Sequence, residues 1–208
     1  MNPSRKRLAG IILAAGKGSR MGKIKQLLPY KGTTLLGAVI EEATSSALSD
    51  VVVVLGFDAL KIMEQVDMSG TRVVMNPRFE DGQASSLCAG LAAVAPDCGG
   101  AVFLLGDQPQ VSRSVINRLI DAWHRDGDAL IQIPFYQKKR GNPVIVDRAL
   151  FKPLSQLTGD TGARALFSRY ENRIQEIHLD DPGILLDVDT PEDYDRLISI
   201  PPSKRRIR

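Results

Sequence analysis

Apolar and polar positions along the 208-residue chain follow two alternating rhythms. Short runs dominated by Val, Ile, Leu and Ala occur at Ile11–Ala14, Val51–Leu55, Arg72–Met75, Ala101–Leu105 and Ala129–Ile133. Runs of this length with little polar alternation predict strands buried on both faces, as in a parallel sheet. Between them, apolar residues return every three or four positions, the helical period. Thr34–Ser45 follows the Lys31-Gly32 turn, and Ala84–Val94 places Leu87, Leu91 and Val94 on one stripe. Ser112 is placed to cap a helix whose Val115, Ile116, Leu119, Ile120 and Trp123 share a face and which ends before Gly127. Strands alternating with helices predict an α/β protein with a doubly wound, mainly parallel sheet. The stretch Gln132–Val146 breaks the rhythm. Its two apolar runs flank Gln137-Lys-Lys-Arg-Gly-Asn-Pro143 and predict a small antiparallel excursion covering the site where an acceptor docks.

The first strand runs directly into a glycine-rich, cationic turn, Gly10-Ile-Ile-Leu-Ala-Ala-Gly-Lys-Gly-Ser-Arg-Met-Gly22, followed by Lys25. Such a turn aims several backbone N–H groups at one point, and Lys17, Arg20, Lys23 and Lys25 add positive charge, a combination suited to a polyphosphate. The glycine spacing departs from the Gly-x-x-x-x-Gly-Lys-Ser/Thr loop, since Met21 stands five after Gly16 and Ile24 follows Lys23. It departs equally from Gly-x-Gly-x-x-Gly, which argues against a nicotinamide dinucleotide site.

Ligands of doubly wound sheets sit beyond the carboxyl ends of the strands. Asp107 follows Val102-Phe-Leu-Leu-Gly106 at such an end, and Asp189 precedes a helix start in which Thr190 is the cap, Pro191 the first helical residue and Asp193 the capping-box acid. Two carboxylates flanking a triphosphate suit Mg2+, a hard ion that prefers oxygen ligands. The polar segment Asn76-Pro-Arg-Phe-Glu-Asp-Gly-Gln-Ala-Ser-Ser86 leads into a helix of small residues, with room for a flat base. Two further turns, Gly141-Asn-Pro143 and Gly159-Asp-Thr-Gly-Ala-Arg164, are rich in backbone donors. Arg164 and the run Lys138-Lys-Arg140 suit a second, anionic substrate.

Composition removes several other classes. The 43% hydrophobic and 25% charged content is that of an ordinary globular protein. No apolar run approaches the ~20 residues of a membrane span, and the N-terminus makes a poor secretory signal. Cys88 and Cys98 lack metal-type spacing and His124 and His178 are far apart, which argues against a zinc site or disulfide framework and for a cytoplasmic location. The net charge of +3 comes from Arg5, Lys6, Arg7, Lys204, Arg205, Arg206 and Arg208 at the two ends; the body is acidic. With only 5% aromatic residues, a nucleic-acid surface is not expected. The expected organisation is one domain over 8–198 with basic tails at 1–7 and 201–208.

Taken together, Leu13–Gly22 with Lys25, Asn76–Ser86, Leu105-Gly-Asp-Gln-Pro109, Gly141–Pro143, Gly159–Arg164 and Asp187-Val-Asp-Thr-Pro-Glu-Asp193 resemble the MobA-like nucleotidyltransferases over nearly the whole chain. The resemblance implies a Rossmann-like three-layer α/β/α sandwich and a Mg2+-dependent transfer from a nucleoside triphosphate. Leu13, Ala14, Ala15, Gly16, Lys17, Gly18, Ser19, Arg20, Met21 and Lys25 would bind base and triphosphate, with Asn76, Gly82, Ser85 and Ser86 beside them. Arg20, Lys25 and Asp107 would be catalytic, and Asp107 with Asp189 would hold the metal. Gly141, Asn142, Pro143, Gly159, Asp160, Thr161, Gly162 and Arg164 would face the acceptor. Leu-Ala-Ala-Gly at the turn and Asp-Gln-Pro after the central strand are similar to the branch that joins CMP from CTP to the molybdopterin-type molybdenum cofactor. The guanylyl branch typically carries Leu-Ala-Gly-Gly and Asp-Thr-Pro. A molybdenum hydroxylase is then the implied downstream acceptor protein. The alternatives left open are a cofactor-carrying chaperone and a nucleotidyltransferase for another phosphorylated acceptor.

Overall fold

The computed structural model describes residues 6–18 and 21–199. Seven strands form the body of one sheet: β1 (Arg7–Leu13), β2 (Asp50–Leu55), β3 (Arg72–Met75), β4 (Cys98–Leu105), β5 (Ile131–Tyr136), β6 (Val144–Asp147) and β7 (Ile174–His178). Their order is β7-β5-β6-β4-β1-β2-β3, and a two-residue strand, Lys139–Arg140, adds to β5. Every neighbouring pair of the seven is parallel except those made by β6, which is antiparallel to both β4 and β5. The antiparallel excursion is therefore a wedge inside the main sheet rather than a cover over it.

The strand period of two sends alternate side chains to opposite layers. Ile12, Val53, Leu55, Val102 and Leu104 enter one buried cluster with α1 (Leu35–Thr44), α2 (Ala59–Gln65) and α4 (Arg113–Arg125). Ile11, Val52, Val54, Ala101 and Phe103 enter the other, under α3 (Gln83–Ala92) and the segment from Leu150 to Phe167. The result is a mostly parallel sheet between helical layers. Thr34 caps α1 by accepting from Gly37 N–H, and Ser112 caps α4 by accepting from Val115 N–H. A third cluster of Met21, Tyr30, Leu35, Ala38, Val188 and Leu197 joins the glycine-rich turn to the last helix among the described residues, α5 (Pro191–Ser199).

Three expectations change. The run Arg72–Met75 is not buried on both faces: among the described residues β3 has only β2 beside it, and Met75 is 49% exposed. β7 escapes the apolar-run criterion because Ile174-Gln-Glu-Ile-His178 has only two apolar residues, three apart, and none of the five is fully buried, as suits an edge strand. The expected basic tail over 1–7 includes a strand residue, Arg7, although Lys6 and Arg7 both stay exposed. Arg7 opens β1 and pairs with Asp97, and Lys6 lies 3.8 Å from Asp147, acids remote in sequence that the fold brings close. The tail calls at 1–5 and 201–208 lie outside the described residues.

Candidate active site

β1 and β4 end side by side at Leu13 and Leu105, and the chain leaving each strand builds the site. Gly106 N–H donates to Leu13 O, so the two exits are tied together. The phosphate turn leaves β1 and closes on itself, with Met21 N–H donating to Gly18 O; Gly18 has φ +58°, a conformation glycine adopts without strain. A 3-10 turn at Lys25–Leu27 then returns two side chains toward the turn.

Lys25 reaches across the cavity and bonds both predicted aspartates: Asp107, and Asp189 at 3.0 Å. Asp189 is presented by an extended segment. Val188 is buried, Asp187 and Asp189 flank it on the opposite side, and Val188 N–H donates to Asp107 O at 3.1 Å. The helix behind is fixed by a reciprocal box. Asp193 N–H donates to Thr190 Oγ1, and Thr190 N–H donates back to the Asp193 carboxylate.

Burial is the largest influence on both members of the Lys25–Asp107 pair. It pushes the Asp107 carboxyl up; Lys25 offsets this, while Asp189 and Asp187 add to it. On Lys25 burial acts downward, but Asp107 and Asp189 together outweigh it and hold the ammonium above its ordinary value. The lysine is shared between two carboxylates, and three carboxylates face one cation, so both partners move up. Two acceptors hold the Lys25 ammonium in its charged state.

The cavity around this cluster has a volume of about 490 Å³. Of the predicted nucleotide residues, Leu13, Ala14, Ala15, Gly16, Gly18, Lys25, Gly82 and Ser86 line it, as do Asp107 and Asp189. Lys17 does not. Its side chain pairs with Glu80, lies over the Phe79 ring and lines a separate groove with Lys23 and Lys61. Met21 is a core residue. Asn76 and Ser85 sit behind the wall. Asn76 Nδ2 donates to Ser85 Oγ at 2.8 Å and Ser86 Oγ at 3.0 Å, so this buried amide shapes the entry to α3. Ser19 and Arg20 lie outside the described residues.

A larger cavity of about 830 Å³ adjoins the first, and Leu13, Gln83, Leu105 and Asp160 line both. Gly141, Asn142, Asp160, Thr161, Gly162 and Arg164 from the acceptor prediction line it, with Lys139 and Arg140 as further cations and Phe103, Ile133 and Phe167 as apolar wall. Pro143 and Gly159 do not. The Gly159 carbonyl instead accepts from Ala84 N–H at 3.1 Å, seating the turn on the start of α3. In the direction of a Cβ, Gly82 is packed against this turn, while the residue also lines the smaller cavity.

Residues 10–174 match the MobA-like NTP transferase domain. The chain belongs to this family. Among its relatives, nicotine blue oxidoreductase of Paenarthrobacter nicotinovorans is 33% identical over 92% of this chain and 96% of its own length. The molybdenum cofactor cytidylyltransferase of Escherichia coli (strain K12) is 27% identical over 88% and 92%. The crystal structure of Rv0371c from Mycobacterium tuberculosis H37Rv superimposes with a TM-score of 0.86 at 36% identity, over 95% of this chain and all of that one. A second structure of that protein is a complex with manganese, with a TM-score of 0.80 at 33% identity over the same shares.

Against this family frame, sequence reasoning missed Gln26, Gln83 and Asp187 as cavity residues. Asp187 had a legible signal, the two-residue spacing to Asp189 around an apolar Val188. Gln83 lies inside the Asn76–Ser86 segment already singled out, whereas Gln26 had no signal, because only the folded chain brings it to the turn. No helix among the described residues is long and apolar enough to cross a membrane.

The capping box carries a pH prediction. Hydrogen bonds from Thr190 hold the Asp193 carboxyl below its ordinary value. The stabilisation is therefore present above the unfolded carboxyl value and lost as pH falls through the folded one. Amide exchange in the first turn of α5 should speed up over that acidic window. In Asp193→Asn this pH step should vanish, and an unchanged step would remove the assigned cause.

Proposed function

We propose that this protein transfers CMP from CTP to the terminal phosphate of a molybdopterin-type molybdenum cofactor and releases pyrophosphate. The observation that carries the reading is the pair of adjoining cavities with a common wall: one holds the phosphate turn and the Lys25–Asp107–Asp189 cluster, the other a larger cationic and apolar space. The cytidylyltransferase relative supports the choice of substrates.

An oxygen of the acceptor phosphate attacks the α-phosphorus of CTP as the bond to the β-phosphate oxygen breaks, and pyrophosphate carries away the electron pair. No protein nucleophile is needed; placing the two phosphates and meeting their charge is the catalytic task. The turn supplies N–H donors and Lys25 a buried point charge. Lys139, Arg140 and Arg164 meet the acceptor's charge from the other cavity.

The donor set fits Mg2+. Asp107 Oδ1 is buried without a hydrogen-bond partner among the described residues, and Asp187 and Asp189 line the same cavity. Among the described residues no three His, Cys, Asp or Glu side chains close into a ready cage. That suits an ion held by one or two carboxylates plus substrate phosphates. When bound, Mg2+ would neutralise charge on the triphosphate, with Asp107 and Asp189 as its protein ligands. The manganese complex of the related Rv0371c supports a divalent ion here.

The test supplies each of the four nucleoside triphosphates with Mg2+ and molybdenum cofactor and measures pyrophosphate. Release with CTP, at least ~10-fold above GTP, is expected, because a pocket shaped by single methyl groups discriminates by about 1–3 kcal/mol. Release with GTP alone, or with none, sinks the reading. Oxidoreductase turnover in place of pyrophosphate release would favour the activity named for the nicotine blue relative.

A further inference from the structure

Gln26 stands directly after Lys25, is 3% exposed and has no charge, yet it lies against the phosphate turn. Its Nε2 donates to Ala14 O at 3.0 Å and to Gly16 O at 3.1 Å. The neighbouring carbonyls are also occupied: Ala15 O accepts from Phe57 N–H and Gly18 O from Met21 N–H. The donors of the same stretch are in the opposite condition. The N–H groups of Ala15, Gly16, Lys17 and Gly18 have no acceptor among the described residues, while Ala15, Gly16 and Gly18 line the cavity. The turn thus spends its negative ends inside the protein and keeps its positive ends for a ligand.

We infer that Gln26 is a positioning residue that makes the turn an anion receptor, by binding two of its carbonyls with one amide and so leaving a surface of N–H donors for the triphosphate. This rests on the nucleotide reading above for the identity of the natural ligand. Two details support it. Gln26 Oε1 is buried and makes no hydrogen bond, so the amide is held for its donors alone. The reverse orientation would crowd three oxygens together without a proton between them. In addition, the 3-10 turn that aims Gln26 at the carbonyls aims Lys25 at the carboxylates, so one turn sets both polarities of the cavity.

The experiment uses two probes, inorganic tripolyphosphate and CTP, titrated calorimetrically into the full chain. The parent should bind both. Gln26→Met, which keeps the bulk and removes the donors, should weaken both by about tenfold or more. Gln26→Glu should weaken them further, the loss growing from about pH 6 to about pH 9 as the carboxyl gives up its one donor proton. A purely structural role would lower the melting temperature without that pH dependence. The parent protein supplies a check independent of variant folding. By NMR the Gln26 side-chain amide protons should resist exchange, and the Gly16 and Gly18 amide signals should move on adding tripolyphosphate. Freely exchanging Gln26 protons, unmoved glycine signals, or variants that bind like the parent overturn the inference. Tripolyphosphate binding without binding of any nucleoside triphosphate overturns the proposed function and leaves Gln26 judged by tripolyphosphate alone. Binding of neither probe by the parent overturns both.

Discussion

Asp107→Asn is expected to slow pyrophosphate release by on the order of 10²–10³-fold, with the fold intact. The carboxylate sits at the end of β4, where one oxygen bonds Lys25 and the other has no hydrogen-bond partner among the described residues. An amide of the same shape removes the charge that the proposed divalent ion would use and that Lys25 pairs with, but it vacates no space. Lys25 retains Asp189, so the buried ammonium is not stranded. The melting temperature should stay within about 3 °C of the parent, as for a change near 1 kcal/mol in a chain of this size. Turnover within a factor of three of the parent would remove Asp107 from the reaction.

Gly82→Ala has the opposite signature. Gly82 has φ +98° and ψ 179°, a region open essentially only to glycine. A Cβ there would stand 2.4 Å from Gly159 C, 2.5 Å from Gly159 O and 2.7 Å from Asp160 N, all backbone atoms that cannot rotate away. Strain and overpacking together amount to about 2–5 kcal/mol, or a melting temperature lower by roughly 5–15 °C. The same displacement moves Gln83 and Asp160 from the wall common to the two cavities, so KM for both substrates should rise together. Gly16→Ala is the contrast, since nothing lies within 4 Å of its Cβ position and its stability should be unchanged. A Gly82→Ala protein that melts with the parent would refute the close contact.

What the sequence made legible follows from how local each cause is. Strands β1, β2 and β4 are legible because burial on both faces demands unbroken apolar runs. The caps at Ser112 and Thr190 are legible because a cap is a bond between residues three apart. Asp107 and Asp189 are legible as a pair only through the rule that sheets bind ligands at strand ends, since 82 positions separate them in the chain. The side-chain direction of Lys17 is not legible. Its partner Glu80 and the Phe79 ring lie in a distant loop, and they draw the ammonium away from the cavity. Gln26 is hidden for a related reason: a buried glutamine reads as a surface residue until its two carbonyl partners are known. The place of β6 is equally non-local, because its length and pattern fit an outer hairpin as well as an inner wedge.

That wedge has a consequence for the making of the protein. β5 and β7 reach the rest of the sheet through β6, which enters between β4 and β5. During synthesis from the N-terminus, β1 to β4 emerge first and can pair in parallel by themselves, carrying the phosphate turn and Asp107 with them. β5 emerges with its place beside β4 reserved for a strand not yet made. Chain order then becomes order in time: the glycine-rich turn and Asp107 can be placed early, whereas the walls supplied by residues 160–167 and by Asp187 and Asp189 follow only after β6.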